Sequence, residues 1–97
     1  MYGVVNRLTF ADPIDASVVA LFAEEGLPRV RAAGALAAHV VQTGEWEAVL
    51  VIVSESRERS DEITETVGSP WMRERIVALL DGPTERRTGE IVASTLA

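Results

Sequence analysis

Three side chains of this 97-residue chain have the type and setting to do chemistry: Asn6, His39 and Trp71. Asn6 is the sole asparagine and falls on a strand face otherwise made of Tyr2, Val4, Leu8 and Phe10. A buried amide must find hydrogen-bond partners. It is either a structural bond or a polar group aimed into a ligand cavity. His39 is the sole histidine and lies mid-strand among alanines and valines. It serves as an interface or satisfied core histidine, or as a general base where it faces a pocket. Trp71 follows a Ser-Pro pair and is either core or a pocket wall with an indole N–H to donate. Small residues at Ala35, Ala37, Ala38 and Ala48 leave room for a cavity between sheet and helices.

Other polar groupings carry less. Glu58, Asp61, Glu62 and Glu65 interleave with Arg57 and Arg59. That spacing suits a solvated helix face with intrahelical ion pairs better than a metal site. Arg86-Arg87 reads as an exposed strand start, with anion binding as the alternative. No glycine-rich phosphate loop, nucleophile elbow or helical zinc motif occurs. The absence of cysteine excludes disulfides, thiolate metal sites and thiol nucleophiles together. No cofactor and no metal is expected, and the composition is compatible with the reduced cytoplasm.

The elements that must position these residues follow from periodicity and caps. Tyr2 to Phe10 alternates as a strand. Asp12-Pro13 then predicts an N-cap and first-turn proline, with Asp15 near the helix dipole. A helix from about Pro13 to Ala33 follows, with Gly26 and Pro28 predicting a kink or short break. Strands over Ala35 to Thr43 and Trp46 to Ser54 form a hairpin across Gly44-Glu45. Ser54 or Ser56 caps a second helix that runs to Gly68. Ser69-Pro70 is expected to restart it, and Asp81-Gly82-Pro83 to stop it. A last strand runs from about Glu85 to Thr95. The order β-α-β-β-α-β predicts one ferredoxin-like α+β domain over 1–97, with a four-stranded antiparallel sheet.

Two helices can cover only one face of that sheet, and the other face should be polar. The third strand disobeys, since Val49, Val51 and Val53 oppose Ala48, Leu50 and Ile52. The second strand is apolar on both faces as well. Exposed together, these valines would form an adhesive patch, so a homodimer covering the second face is expected. The formal net charge is -6 and every basic residue is arginine, so nucleic acid is not an expected partner. The topology is shared with RNA-recognition modules, but their central strands present stacking aromatics where this chain has Ala and Val. No apolar run approaches the roughly 18 residues of a membrane helix, and no basic-then-apolar leader is seen. No membrane partner is expected.

Taken together, the opening GVVNRLTF, the segment LPRVRAAGAL, the hairpin HVVQTGEWEAVLVIV and the segment GSPWMRERIVALLDGP resemble the antibiotic biosynthesis monooxygenase domain family. The resemblance spans nearly the whole chain and rests on pattern and order. It implies a dimeric α+β barrel of two ferredoxin-like sheets, with a pocket between sheet and helices in each subunit. It also implies a cofactor-free oxygenase that converts a phenol or hydroquinone to a quinone with dioxygen. In that role Asn6 would donate its amide, Trp71 its indole N–H, and His39 would act as base if it faces the pocket. The haem-degrading branch is similar at Asn6-Arg7-Leu8-Thr9. That branch also carries a tryptophan and a haem-ligating histidine on the second helix. Trp71 lies later on that helix, and no histidine follows it. A non-catalytic dimer holding a small apolar ligand is the rival expectation from another class.

Overall fold

Alternating side chains make Tyr2–Thr9 a strand, β1, whose even-numbered residues turn toward the helices. Val4 and Leu8 are buried on that side, while Val5 and Arg7 are exposed on the other. The computed structural model describes residues 1–96. Its sheet runs β2-β3-β1-β4, with β2 at Ala37–Gln42, β3 at Glu47–Ser54 and β4 at Glu85–Glu90. All pairings are antiparallel, so the fold is the expected ferredoxin-like α+β arrangement. β4 ends at Glu90 rather than near Thr95. Its neighbour explains the difference: β1 begins at Tyr2, and the Ile91 N–H bonds to the Met1 carbonyl. Beyond that point no strand lies opposite.

The first helix begins at Ala16, not at Pro13. Asp15 is the cap, because its Oδ1 accepts from the Ser17 and Val18 amides at 3.0 and 3.1 Å. Pro13 lies before the helix, where the Ile14 amide ties the chain to the Glu45 carbonyl. The helix does not stop at Gly26-Leu27-Pro28, and the expected irregularity takes the form of a widened turn. It runs as an α-helical segment Ala16–Leu21, a π-helical turn Phe22–Gly26 and an α-helical segment Leu27–Ala32. The Leu27 amide reaches back five residues to Phe22. A proline lacks its N–H and crowds the carbonyl four residues before it. Widening one turn moves that carbonyl away from the ring.

The second helix uses the same device. Ser56 caps it by accepting from the Arg59 amide. It continues as Arg57–Ile63, a π-helical turn Thr64–Gly68 and Ser69–Arg75. Ser69 is therefore not a fresh N-cap: its φ and ψ of -65° and -44° are helical, and its amide bonds to Thr64. A short 3-10 turn, Val77–Leu79, leads toward β4.

Both helices pack on one face of the sheet. Val4, Val30, Ala35, Leu50, Ile52 and Ile63 form one buried cluster. Leu8, Phe10, Phe22, Ala48, Trp71 and Ile76 form the other. Among the described residues, no helix covers the opposite sheet face. The register aligns His39, Val51, Val5 and Arg87 in one row across it, and Val41, Val49, Arg7 and Glu85 in the next. Val5 and Val41 are 45% and 50% exposed there. Arg7 closes one end of this face by pairing with Glu47 and Glu85. Among the described residues, no helix is long and apolar enough to cross a membrane.

Candidate functional site

The first strand carries Asn6 on the helix-facing side between Val4 and Leu8, so its amide enters the layer under the second helix. There it lines a cavity of about 210 Å³. The floor is Val4, Asn6, Leu50, Ile52 and Arg86 from three strands, and the roof includes Thr64, Gly68, Ser69, Met72 and Arg73. The Asn6 Oδ1 is enclosed and has no hydrogen-bond partner. A buried acceptor left unpaired costs about 1–3 kcal/mol, which a ligand O–H or N–H donated to it would recover.

Arg86 is the strand neighbour of Asn6, paired across β1 and β4. Its Nη2 donates to Thr64 Oγ1 at 3.2 Å, tying β4 to the widened turn of the second helix. Arg86 and Arg87 lie at the exposed strand start, as expected. Pairing in register with Asn6 also sets Arg86 at the border of the cavity, and Arg87 on the open face. No carboxylate lines this cavity. Among the described residues, neither Arg73 nor Arg86 has an ion-pair partner, whereas Arg57 pairs with Asp61, and Arg59 with Glu62 on its own helix and Glu55 just before the cap. The acidic cluster is thus a solvated ion-paired face, and no metal-binding group occurs among the described residues.

Trp71 is placed differently from Asn6. Its ring is 5% exposed and meets Phe22 edge-on, centroids 5.3 Å apart. A Cβ at Gly26 would fall 2.6 Å from that ring, so the absence of a side chain at Gly26 is what admits it. The indole N–H is taken by Glu25 Oε1 at 3.3 Å. Trp71 does not line the Asn6 cavity. It borders a gap of about 20 Å³ that shares Leu50, Ile52, Gly68 and Met72 with it. The expected indole donor is therefore spent on a helix-to-helix contact. His39 is not brought to this site at all. It lies on the uncovered sheet face and is exposed, so it cannot act as base in this cavity within one chain.

Glu25 links the helices through Trp71 and through Arg75, whose Nε and Nη2 donate to it at 3.0 Å. The Arg75 hydrogen bonds first, then that of Trp71, hold the Glu25 carboxyl below its ordinary value. A pKa lowered on folding contributes stability above the unfolded value and loses it as pH falls through the folded one. Glu25→Gln is expected to destabilise the protein at neutral pH. That deficit should shrink as pH drops below the usual glutamate range. Urea unfolding of both proteins at stepped pH measures this, and a constant deficit down to strongly acid pH would refute it.

A second cavity, about 360 Å³, lies under the first helix. Phe10, Ile14, Val18, Phe22, Leu27, Val40 and Ala48 line it, with Gln42 as its polar group. It offers no charged residue for proton transfer or oxyanion stabilisation.

No family model matches the chain, and no curated protein matches it in sequence. Solved structures do. NE2512 from Nitrosomonas europaea, a protein of unknown function, superposes with a TM-score of 0.81 at 18% identity, covering 99% of this chain and 93% of that one. A protein from the same organism described as a "putative antibiotic biosynthesis monooxygenase" gives 0.71 at 14% identity, covering 96% and 100%. The chain has an antibiotic biosynthesis monooxygenase-like fold. A dimeric ferredoxin-like protein from an uncultured marine organism shares it, with a TM-score of 0.71 at 14% identity, covering 96% and 95%. In this chain the monooxygenase-like fold has its helices on one sheet face, and no helix among the described residues covers the other.

Proposed function

We propose that this protein is a cytoplasmic, homodimeric, cofactor-independent monooxygenase that oxidises a phenolic or hydroquinone-type aromatic substrate in the Asn6 cavity. The observation that carries this reading is the Asn6 amide, its Oδ1 unpaired, in the wall of a largely apolar cavity beside Arg86, which has no ion-pair partner among the described residues. A phenol hydroxyl donating to Oδ1 satisfies the buried acceptor. The guanidinium of Arg86 favours loss of that proton to solvent, because a nearby cation stabilises the phenolate. The electron-rich ring then meets dioxygen. One oxygen atom becomes the new quinone carbonyl, and the other leaves as water with the phenol O–H and ring C–H hydrogens.

Val4, Leu50, Ile52 and Met72 supply the apolar walls that fit an aromatic ring. Fold likeness to a "putative antibiotic biosynthesis monooxygenase" supports the activity, and likeness to a dimeric protein supports the homodimer. In that dimer the valines of the bare face are covered by those of a second copy, and His39 becomes an interface residue. Oxygen uptake across a panel of quinols tests the activity. Asn6→Ala should lower the rate about a hundredfold, the usual scale for losing one positioned polar group. No turnover on any quinol, or an indifferent variant, overturns the reading.

The cavity under the first helix favours a second reading, a non-catalytic carrier of a small apolar ligand. It would show saturable binding of an apolar probe without a product by mass spectrometry. A haem-degrading role has no support from the donor set: the sole histidine is on the far face of the sheet from the cavity.

A further inference from the structure

We infer that the molecule bound in the Asn6 cavity carries a carboxylate as well as a phenol, and that Arg73 with Ser69 holds it. This rests on the reading of that cavity as the reaction site. Ser69 and Arg73 lie one helical turn apart on the second helix, and both line the cavity. Among the described residues Arg73 makes no hydrogen bond or ion pair through its side chain, unlike Arg75 two positions on, which is fixed on Glu25. Arg73 is exposed and borders the cavity roof, so its guanidinium is free to turn to a bound ligand. A planar guanidinium matches a carboxylate in a two-bond fork, which a neutral phenol cannot use.

Charge sharpens the inference. The chain carries a formal net charge of -6 and repels anions as a whole. Yet this cavity is lined by Arg73 and Arg86 with no carboxylate to offset them. Arg86 sits beside Asn6 in register and is already engaged with Thr64, so it serves the phenol end. Arg73, on the opposite wall, is left for a second negative group. The ligand class is a hydroxylated aromatic acid.

The test measures binding without turnover. 6-Hydroxy-2-naphthoate and its methyl ester are titrated by calorimetry under anaerobic conditions. The acid should bind at least tenfold more tightly than the ester. Arg73→Gln should remove that preference and Arg73→Lys should keep part of it, with circular dichroism verifying the fold. Equal affinities, a preference that survives Arg73→Gln, or no binding of either probe would each overturn the inference. If quinol oxidation fails while the preference holds, the monooxygenase reading falls and the acid site stands. If oxidation is found without the preference, the reverse is true.

Discussion

Trp71→Ala is expected to lower folding stability by about 3–5 kcal/mol, the usual cost of deleting a buried aromatic ring. For a domain of this size that is a fall in melting temperature of roughly 12–40 °C. The ring joins the two helices at one point: it packs edge-on against Phe22, lies over Gly26 and donates to Glu25. Gly26→Ala approaches the same point from the other side. Its Cβ would fall 2.6 and 2.7 Å from two atoms of the indole ring, so the ring must shift out of its contacts. Overpacking of this kind costs about 1–3 kcal/mol. The two changes will not add, since removing the ring also removes the clash. A double-mutant cycle by urea unfolding should give a coupling of 1 kcal/mol or more in size, as a rough minimum. Additive effects would show that Trp71 and Gly26 do not share one packing site.

Val51→Glu is expected to convert a dimer of two chains into single chains. Val51 sits mid-row on the bare sheet face, flanked by His39 and Val5. A two-fold interface presents the same residue from both copies, so one substitution buries two unpaired carboxylates. Each costs about 2–5 kcal/mol when its partner surface is apolar, so the dissociation constant should rise by roughly three orders of magnitude or more. Light scattering on a sizing column measures it: wild type at the mass of two chains, the variant at one. A wild type already at the mass of one chain at micromolar concentration would remove the homodimer from the proposal.

Much of this molecule is legible in its sequence, and the misses have common causes. Strand parity places Asn6 with Val4 and Leu8, and the structure keeps them on one face. The two-sided apolar pattern of β3 correctly marks a sheet with one face uncovered. Asp12 was expected to cap the first helix, with Asp15 inside its first turn. The choice falls to Asp15, and the Ile14 amide is held by the distant Glu45 carbonyl, a contact no local pattern carries. The gap between Arg86 and Asn6 is eighty positions. Only the register of β4 on β1 brings them to one cavity. Trp71 looked free to donate because Glu25 lies on another helix. His39 was ambiguous for the same reason: parity gives its neighbours on the strand, but helix placement decides which face is covered. Local residue types predict elements well, and sites depend on pairings between elements.

The widened turns carry a consequence of their own. Gly26-Leu27-Pro28 and Gly68-Ser69-Pro70 sit at matching places in the two β-helix-β halves, each closing a five-residue π turn. The two halves thus share one backbone device, and β1 and β3, which open them, lie side by side in the sheet. One cavity lies beneath each jointed helix. One is lined by Phe10, Phe22 and Val40, the other by Asn6, Arg73 and Arg86. Similar helix joints thus roof two differently lined cavities, and the polar side chains gather at only one of them.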